Sequence, residues 1–360
     1  MDPRISQYAE LIVERSLDPQ PGWQVEITSN PPARPLVEEV VRRIARRGAW
    51  PFVRLSYMQE RWPFEFVWAE EAPEEMLDQR PPLRVAAEEG VDAWVFIGAQ
   101  ENSAEGSDVS TERRKQLGLA ARAFLERRLD FDIPWLTCRF PTPAMAQDAG
   151  MSMRAFEDFF YGTVLLDWDA EGKKMERIKE RFDQAEEVRI VGEETDLRFS
   201  LAGRDGHVDD GRVNLPGGEV FYSPVEDSAE GLVTFSEYPA VREPDIVEGV
   251  RLRYEGGRVV EASATSKEES LISALDRDEG ARVLGEFGIG CNPGIQRYMK
   301  NTLFDEKMYG TIHLAFGAGL PFVGGKNKSA MHWDMVKELR NGGRIECDGE
   351  VVQQDGEWTF

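Results

Sequence analysis

Cysteine and histidine are scarce, with three of each in 360 residues. Cys138, Cys291 and Cys347 lie far apart and form no Cys-x-x-Cys pair, which excludes a disulfide framework and a thiolate zinc site and leaves them as small buried hydrophobes. No stretch approaches the ~18 consecutive apolar residues of a membrane-spanning helix. The opening residues, MDPRISQYAELIVERS, show no basic segment followed by an apolar run, so a cytoplasmic location is expected. Positive charge is also in deficit. Against 66 acidic residues stand 43 basic ones, a net charge of -23, and the acidic residues are scattered through every region. Such a field repels phosphate backbones and anionic membranes, excludes nucleic-acid and membrane roles, and disfavours an acidic substrate. The basic stretches RRIARRG (42–48) and ERRKQ (112–116) read as exposed helix faces. The first βα turn lacks G-x-G-x-x-G, which argues against dinucleotide binding.

What is present begins as an alternation. WQVEITSN (23–30) reads as a strand, RPLVEEVVRRIARRG (34–48) as an amphipathic helix closing on Gly48, and PFVRLSYM (51–58) as a second strand. The pattern recurs in AWVFIGAQ (93–100), a helix over 111–130 and IPWLTCRF (133–140), with helices over 153–186 completing the domain. An α/β domain with a parallel or mixed sheet is expected over 1–187. From 188 to 360 the texture changes to short strands separated by Gly and Asp turns, including a hairpin over 250–264 turning at Gly256-Gly257, and this region reads as a β-rich α+β domain. One helix is expected within it, over 268–286.

The chemistry is concentrated in this second region. In SAMHWDM (329–335), a strand would project His332 and Asp334 from one face and Trp333 from the other. His313 sits in an apolar strand, GTIHLAFG, where its ring nitrogens need partners. Glu286, ending the expected helix at LGEFGIGCNPG, and Glu219, in NLPGGEVFYSP, are carboxylates in glycine-rich, largely apolar settings where an unpaired charge is costly. Three carboxylates and two imidazoles suit two divalent ions sharing a water. His207, in GRDGHVDDGR, reads as a surface residue, and FVGGKNKS lacks the first glycine and the Ser/Thr pattern of a phosphate-binding loop.

NLPGGEVF, GEFGIGCNPGI, GTIHLAFG and SAMHWDMV, in this order, resemble the motif series of the aminopeptidase T and aminopeptidase S family of metallo-aminopeptidases, over roughly 190 to 345. The resemblance implies an N-terminal α/β domain, a C-terminal β-rich domain carrying two metal ions, and a homodimer enclosing the active sites. It places the metal ligands on Glu219, Glu286, His313, His332 and Asp334. The ions implied are Zn, Co, Mn or Mg, the substrate a peptide shortened from its N-terminus, and the acceptor of the water's proton Glu286 or a nearby carboxylate. One departure stands out: where the family has a tyrosine about seven residues after its first histidine, this chain has Leu320, and the connection from His313 to His332 is shorter. Tyr309 is the candidate substitute, on the face of His313 if the strand is regular. Two alternatives stay open. His313, His332 and Asp334 alone form a set that holds a single Fe(II), as in ring-cleaving dioxygenases of similar architecture, and Leu320 also fits a non-catalytic peptide- or metal-binding relative.

Overall fold

The computed structural model describes residues 2–57, 66–105, 108–110, 112–114, 116–117, 119–120, 132–242 and 245–360. The described chain divides into two compact units, one of residues 1–165 with 211–215, the other of residues 166–210 with 216–360.

In the first unit, the helix Arg34–Arg46 buries Leu36, Val37, Val40 and Ile44, the stripe that a 3.6-residue repeat places on one side. Gly48 follows at φ +77°, the left-handed geometry that ends helices. The unit's sheet is wholly parallel, in the order Trp50–Leu55, Gln24–Ser29, Ala93–Gly98, Trp135–Arg139, Asn214–Leu215. Its central strand, Ala93–Gly98, is buried along its whole length, which is why it reads as an unbroken apolar run. Most of the helix expected over 111–130 lies outside the described residues. Among the described residues no helix is long and apolar enough to cross a membrane.

The second unit is antiparallel. An eight-stranded sheet contains the hairpin Val250–Glu255 and Arg258–Ser263, turning at Gly256 and Gly257, both at positive φ as a tight hairpin turn requires. A five-stranded sheet runs in the order His332–Glu338, Thr311–Gly317, Leu284–Gly290, Glu219–Tyr222, His207–Asp209. Alternation gives this smaller sheet one apolar face. Val220, Tyr222, Phe287, Ile289, Ile312, Leu314 and Phe316 enter the unit's core, where Phe287 packs 5.0 Å from Phe199 and 5.9 Å from Phe182. The residues between them face the other way.

The helix expected over 268–286 is shorter. It spans Glu268–Leu275 and gives way to a strand, Leu284–Gly290. No apolar residue follows Leu275 until Ala281, so the helical stripe ends, and Asp278 is drawn into accepting from the backbone of Gly280 and Ala330 and from Ser329.

Glu338 closes the last strand of the smaller sheet with a separate consequence for stability. Its carboxylate accepts from Tyr238 at 2.6 Å and from the backbone and guanidinium of Arg340 at 2.8 Å. Burial opposes its ionisation, but these donors outweigh burial and hold its pKa at about 2, below the ordinary 4.5. A depressed carboxylate stabilises the fold above its unfolded pKa, and that contribution is lost as pH falls from about 4.5 towards 2. Glu338→Gln is therefore expected to cost about 2 kcal/mol at pH 7, after allowance for solvent screening, and much less at pH 3. Urea unfolding of both proteins at the two pH values measures it.

Candidate metal centre

The outward face of the five-stranded sheet carries the polar residues in rows across its strands. His207, Phe221, Gly288, His313 and Val336 lie in register, as do Glu286, Ala315 and Asp334, with Asp209, Glu219 and Gly290 forming another row. His332 pairs with Gly317, two residues from Asp334 on the same face. A register shift between Leu284 and Glu286 decides what Glu286 does. With Gly285 taken up in this bulge, Leu284 and Phe287 both pair with core residues, Phe316 and Leu314, while Glu286 pairs with Ala315 on the site face. Glu286 thus lies inside a fully buried strand, not at the end of a helix.

Four of the five expected ligands meet directly. Glu286 Oε1 is 3.3 Å from His313 Nε2, and its Oε2 is 2.9 Å from His332 Nε2. His332 Nε2 is 3.5 Å from Asp334 Oδ1. One donor atom each from Glu286, His313 and Asp334 lies within 4.8 Å of the others. Glu219 joins through Oε2, 3.8 Å from His313 Nε2. His313 Nδ1 donates to the Glu306 carbonyl at 3.0 Å and His332 Nδ1 to the Ala318 carbonyl at 2.9 Å. A carbonyl can only accept, so each ring keeps its proton on Nδ1 and turns Nε2 to the cluster, the arrangement that prepares imidazoles for a metal.

The electrostatics are those of a site built for cations. Burial alone would keep His313 neutral, but the Glu286 hydrogen bond and the charges of Glu286, Glu219 and Asp334 raise its pKa to about 10. The same contest, won by Asp334 and Glu286, raises His332 well above its usual value, although 30% of its side chain is exposed. Glu219 is pushed up to about 8 by burial, despite the countering charge of Lys307. Its Oε2 is buried and makes no hydrogen bond. That orphaned oxygen, facing an imidazole nitrogen, fits a metal ligand, and the oxygen and nitrogen donors suit a borderline divalent ion.

Two readings change. Tyr309 is not brought to the cluster: Gly310 turns at φ +77°, the strand begins only at Thr311, and the Tyr309 hydroxyl donates to Glu357 at 3.3 Å. Alternation from His313 cannot be extended through that turn. His207 is no surface residue, since its ring packs 5.2 Å from Phe221 and 5.4 Å from Phe322. Leu320 donates its backbone N–H to Ser223, which in turn donates to the Gly285 carbonyl, tethering its loop to the strand of Glu286. In the same loop the Lys326 amide donates to Glu226, and Asn327 bonds the carbonyls of Gly280 and Gly317, so the segment is tied down with no phosphate cradle. The reading also missed a participant. Lys307 is wholly buried, 3.0 Å from Glu219 Oε1, and nothing in its segment, FDEKMYG, marks it out.

Over its whole length the chain is similar to known proteins. Aminopeptidase 2 of Geobacillus stearothermophilus is 27% identical, in an alignment covering 99% of this chain and 98% of that protein. The solved structure of AmpT from Thermus thermophilus superposes with a TM-score of 0.82 over 99% of both chains at 24% identity. That of 2,5-dihydroxypyridine dioxygenase from Pseudomonas putida KT2440 shares the fold more distantly, with a TM-score of 0.64, 14% identity and coverage of 99% and 96%. The profile of the thermophilic metalloproteases (M29) matches residues 1–358, and the chain belongs to that family.

Proposed function

We propose that this protein is an aminopeptidase that removes the N-terminal residue of peptides with two divalent ions, held by Glu219, Glu286, His313, His332 and Asp334. The observation that carries the reading is the convergence of three carboxylates and two backbone-oriented imidazoles on one sheet face, with Glu219 Oε2 buried and without a hydrogen bond. Zn, Co, Mn and Mg are all compatible with these donors. Bound ions would lower the pKa of a coordinated water and polarise the scissile carbonyl. Glu286, with one oxygen directed at each imidazole, would help to hold the ions. The Glu306 and Ala318 carbonyls hold the imidazoles in place, and the buried carboxylates favour a substrate that presents a free, positively charged α-amino group. A homodimer and a cytoplasmic location complete the proposal.

Elemental analysis of protein purified without chelators, alongside a panel of aminoacyl-nitroanilides with added Zn, Co or Mn, tests it. About two metal equivalents and release of free amino acid are expected. A chelator should lower that activity by at least about 100-fold, with recovery on adding one of the ions back. A single iron without peptide cleavage would overturn the reading in favour of a dioxygenase, and metal binding without turnover would favour a non-catalytic relative.

A further inference from the structure

Lys307 is fully buried, and its ammonium group faces three carboxylates: Glu306, Glu219 Oε1 at 3.0 Å and Asp209 Oδ2 at 3.7 Å. A buried ammonium is tolerated only where it is paired. Its backbone is fixed on both sides. The Lys307 N–H donates to Phe304, and its carbonyl accepts from Asn292, whose side chain in turn donates to the Gly217 carbonyl two residues before Glu219. The neighbouring Glu306 carbonyl holds His313 Nδ1. One short segment therefore supports an imidazole through its backbone and a carboxylate through its side chain.

The two oxygens of Glu219 are consequently unequal. Oε1 is engaged by the ammonium, whereas Oε2 is buried, makes no hydrogen bond and lies 3.8 Å from His313 Nε2. We infer that Lys307 is a positioning residue for the metal centre: it occupies Glu219 Oε1 as an internal cation, so that Glu219 offers a single oxygen, Oε2, to the ion beside His313. The inference rests on the dinuclear reading and concerns only one of its two ions. Without the ammonium, Glu219 Oε1 would lose the contact that holds it, and the centre would lose a ligand kept in place.

Metal-stripped wild type, Lys307→Met and Lys307→Arg, each checked for fold by circular dichroism, would be titrated with Co(II). Equilibrium dialysis gives the equivalents bound, and the visible spectrum gives the environment of each. Wild type should take up two ions. In Lys307→Met one ion should bind about 10- to 100-fold more weakly, with the other within about threefold, and Lys307→Arg should recover part of the loss. If Lys307→Met fails to fold, Lys307→Arg carries the test, because a guanidinium keeps the charge but cannot put one donor in the ammonium's place, and selective weakening of one ion by at least about threefold is expected. Unchanged affinities for both ions in a folded variant, or equal weakening of both, would overturn the inference. Wild type that takes up fewer than two ions would instead sink the dinuclear reading, whatever the variants do.

Discussion

Glu286→Gln is expected to reduce kcat/KM on an aminoacyl-nitroanilide by more than about 100-fold, the upper end of what losing a ligand-supporting group costs, and to lower the metal content below two equivalents. Glu286 reaches both imidazoles, at 3.3 Å and 2.9 Å. Glutamine keeps its volume, so the strand and the neighbouring Phe287 need not move. The amide, however, has one acceptor where the carboxylate has two, and its NH₂ end must face either His313 or His332. That end can no longer ligate, and it meets an imidazole Nε2 with a donor. The lost charge also removes the chief support for the His313 imidazolium and, after that of Asp334, part of the support for His332. Glu350→Gln, at a side chain that is 77% exposed, should leave both metal and activity unchanged. A Glu286→Gln protein that keeps two ions and full activity would remove Glu286 from the centre.

The parts of this centre that were legible in the sequence are those that obey a simple period. His332 and Asp334 are two apart in a regular strand, so their shared face follows from alternation alone. The hairpin at Gly256-Gly257 and the helix closing on Gly48 follow from glycines that permit positive φ where the chain reverses or ends. Glu286 resisted because a bulge breaks the alternation around it. Leu284 and Phe287, three apart, both enter the core, and such spacing mimics the helical repeat that was expected there. Tyr309 was misplaced for the converse reason, a strand period carried through a glycine turn. Lys307 was invisible, because its importance lies in long-range contacts to Glu219 and Asp209 that no local pattern encodes.

Gly288→Ala is expected to disable the centre without replacing any ligand. Gly288 lies between Phe221 and His313 in the row across the sheet, and the imidazole of His313 lies against the place where a side chain would start. A Cβ there would sit 1.9 Å from His313 Cε1, 2.2 Å from Nε2 and 2.7 Å from Nδ1. Neither strand can yield easily, since Gly288 is paired on both sides, so the ring itself must swing away. Swinging it lengthens both the Nδ1 bond to the Glu306 carbonyl and the Nε2 contact with Glu286. Overpacking of this kind costs about 1–3 kcal/mol, which a unit with so large a core should survive. The protein is therefore expected to fold, with a modestly lowered melting temperature, yet to lose the His313-side ion and at least about 100-fold in kcat/KM. Gly90→Ala, where a Cβ meets no atom within 4 Å, supplies the comparison and should keep both ions. Metal content set against melting temperature then distinguishes a displaced imidazole from general loss of stability. If Gly288→Ala melts lower but still binds two ions, His313 is not a ligand, because a group pushed off its position by a methyl cannot still be holding the metal.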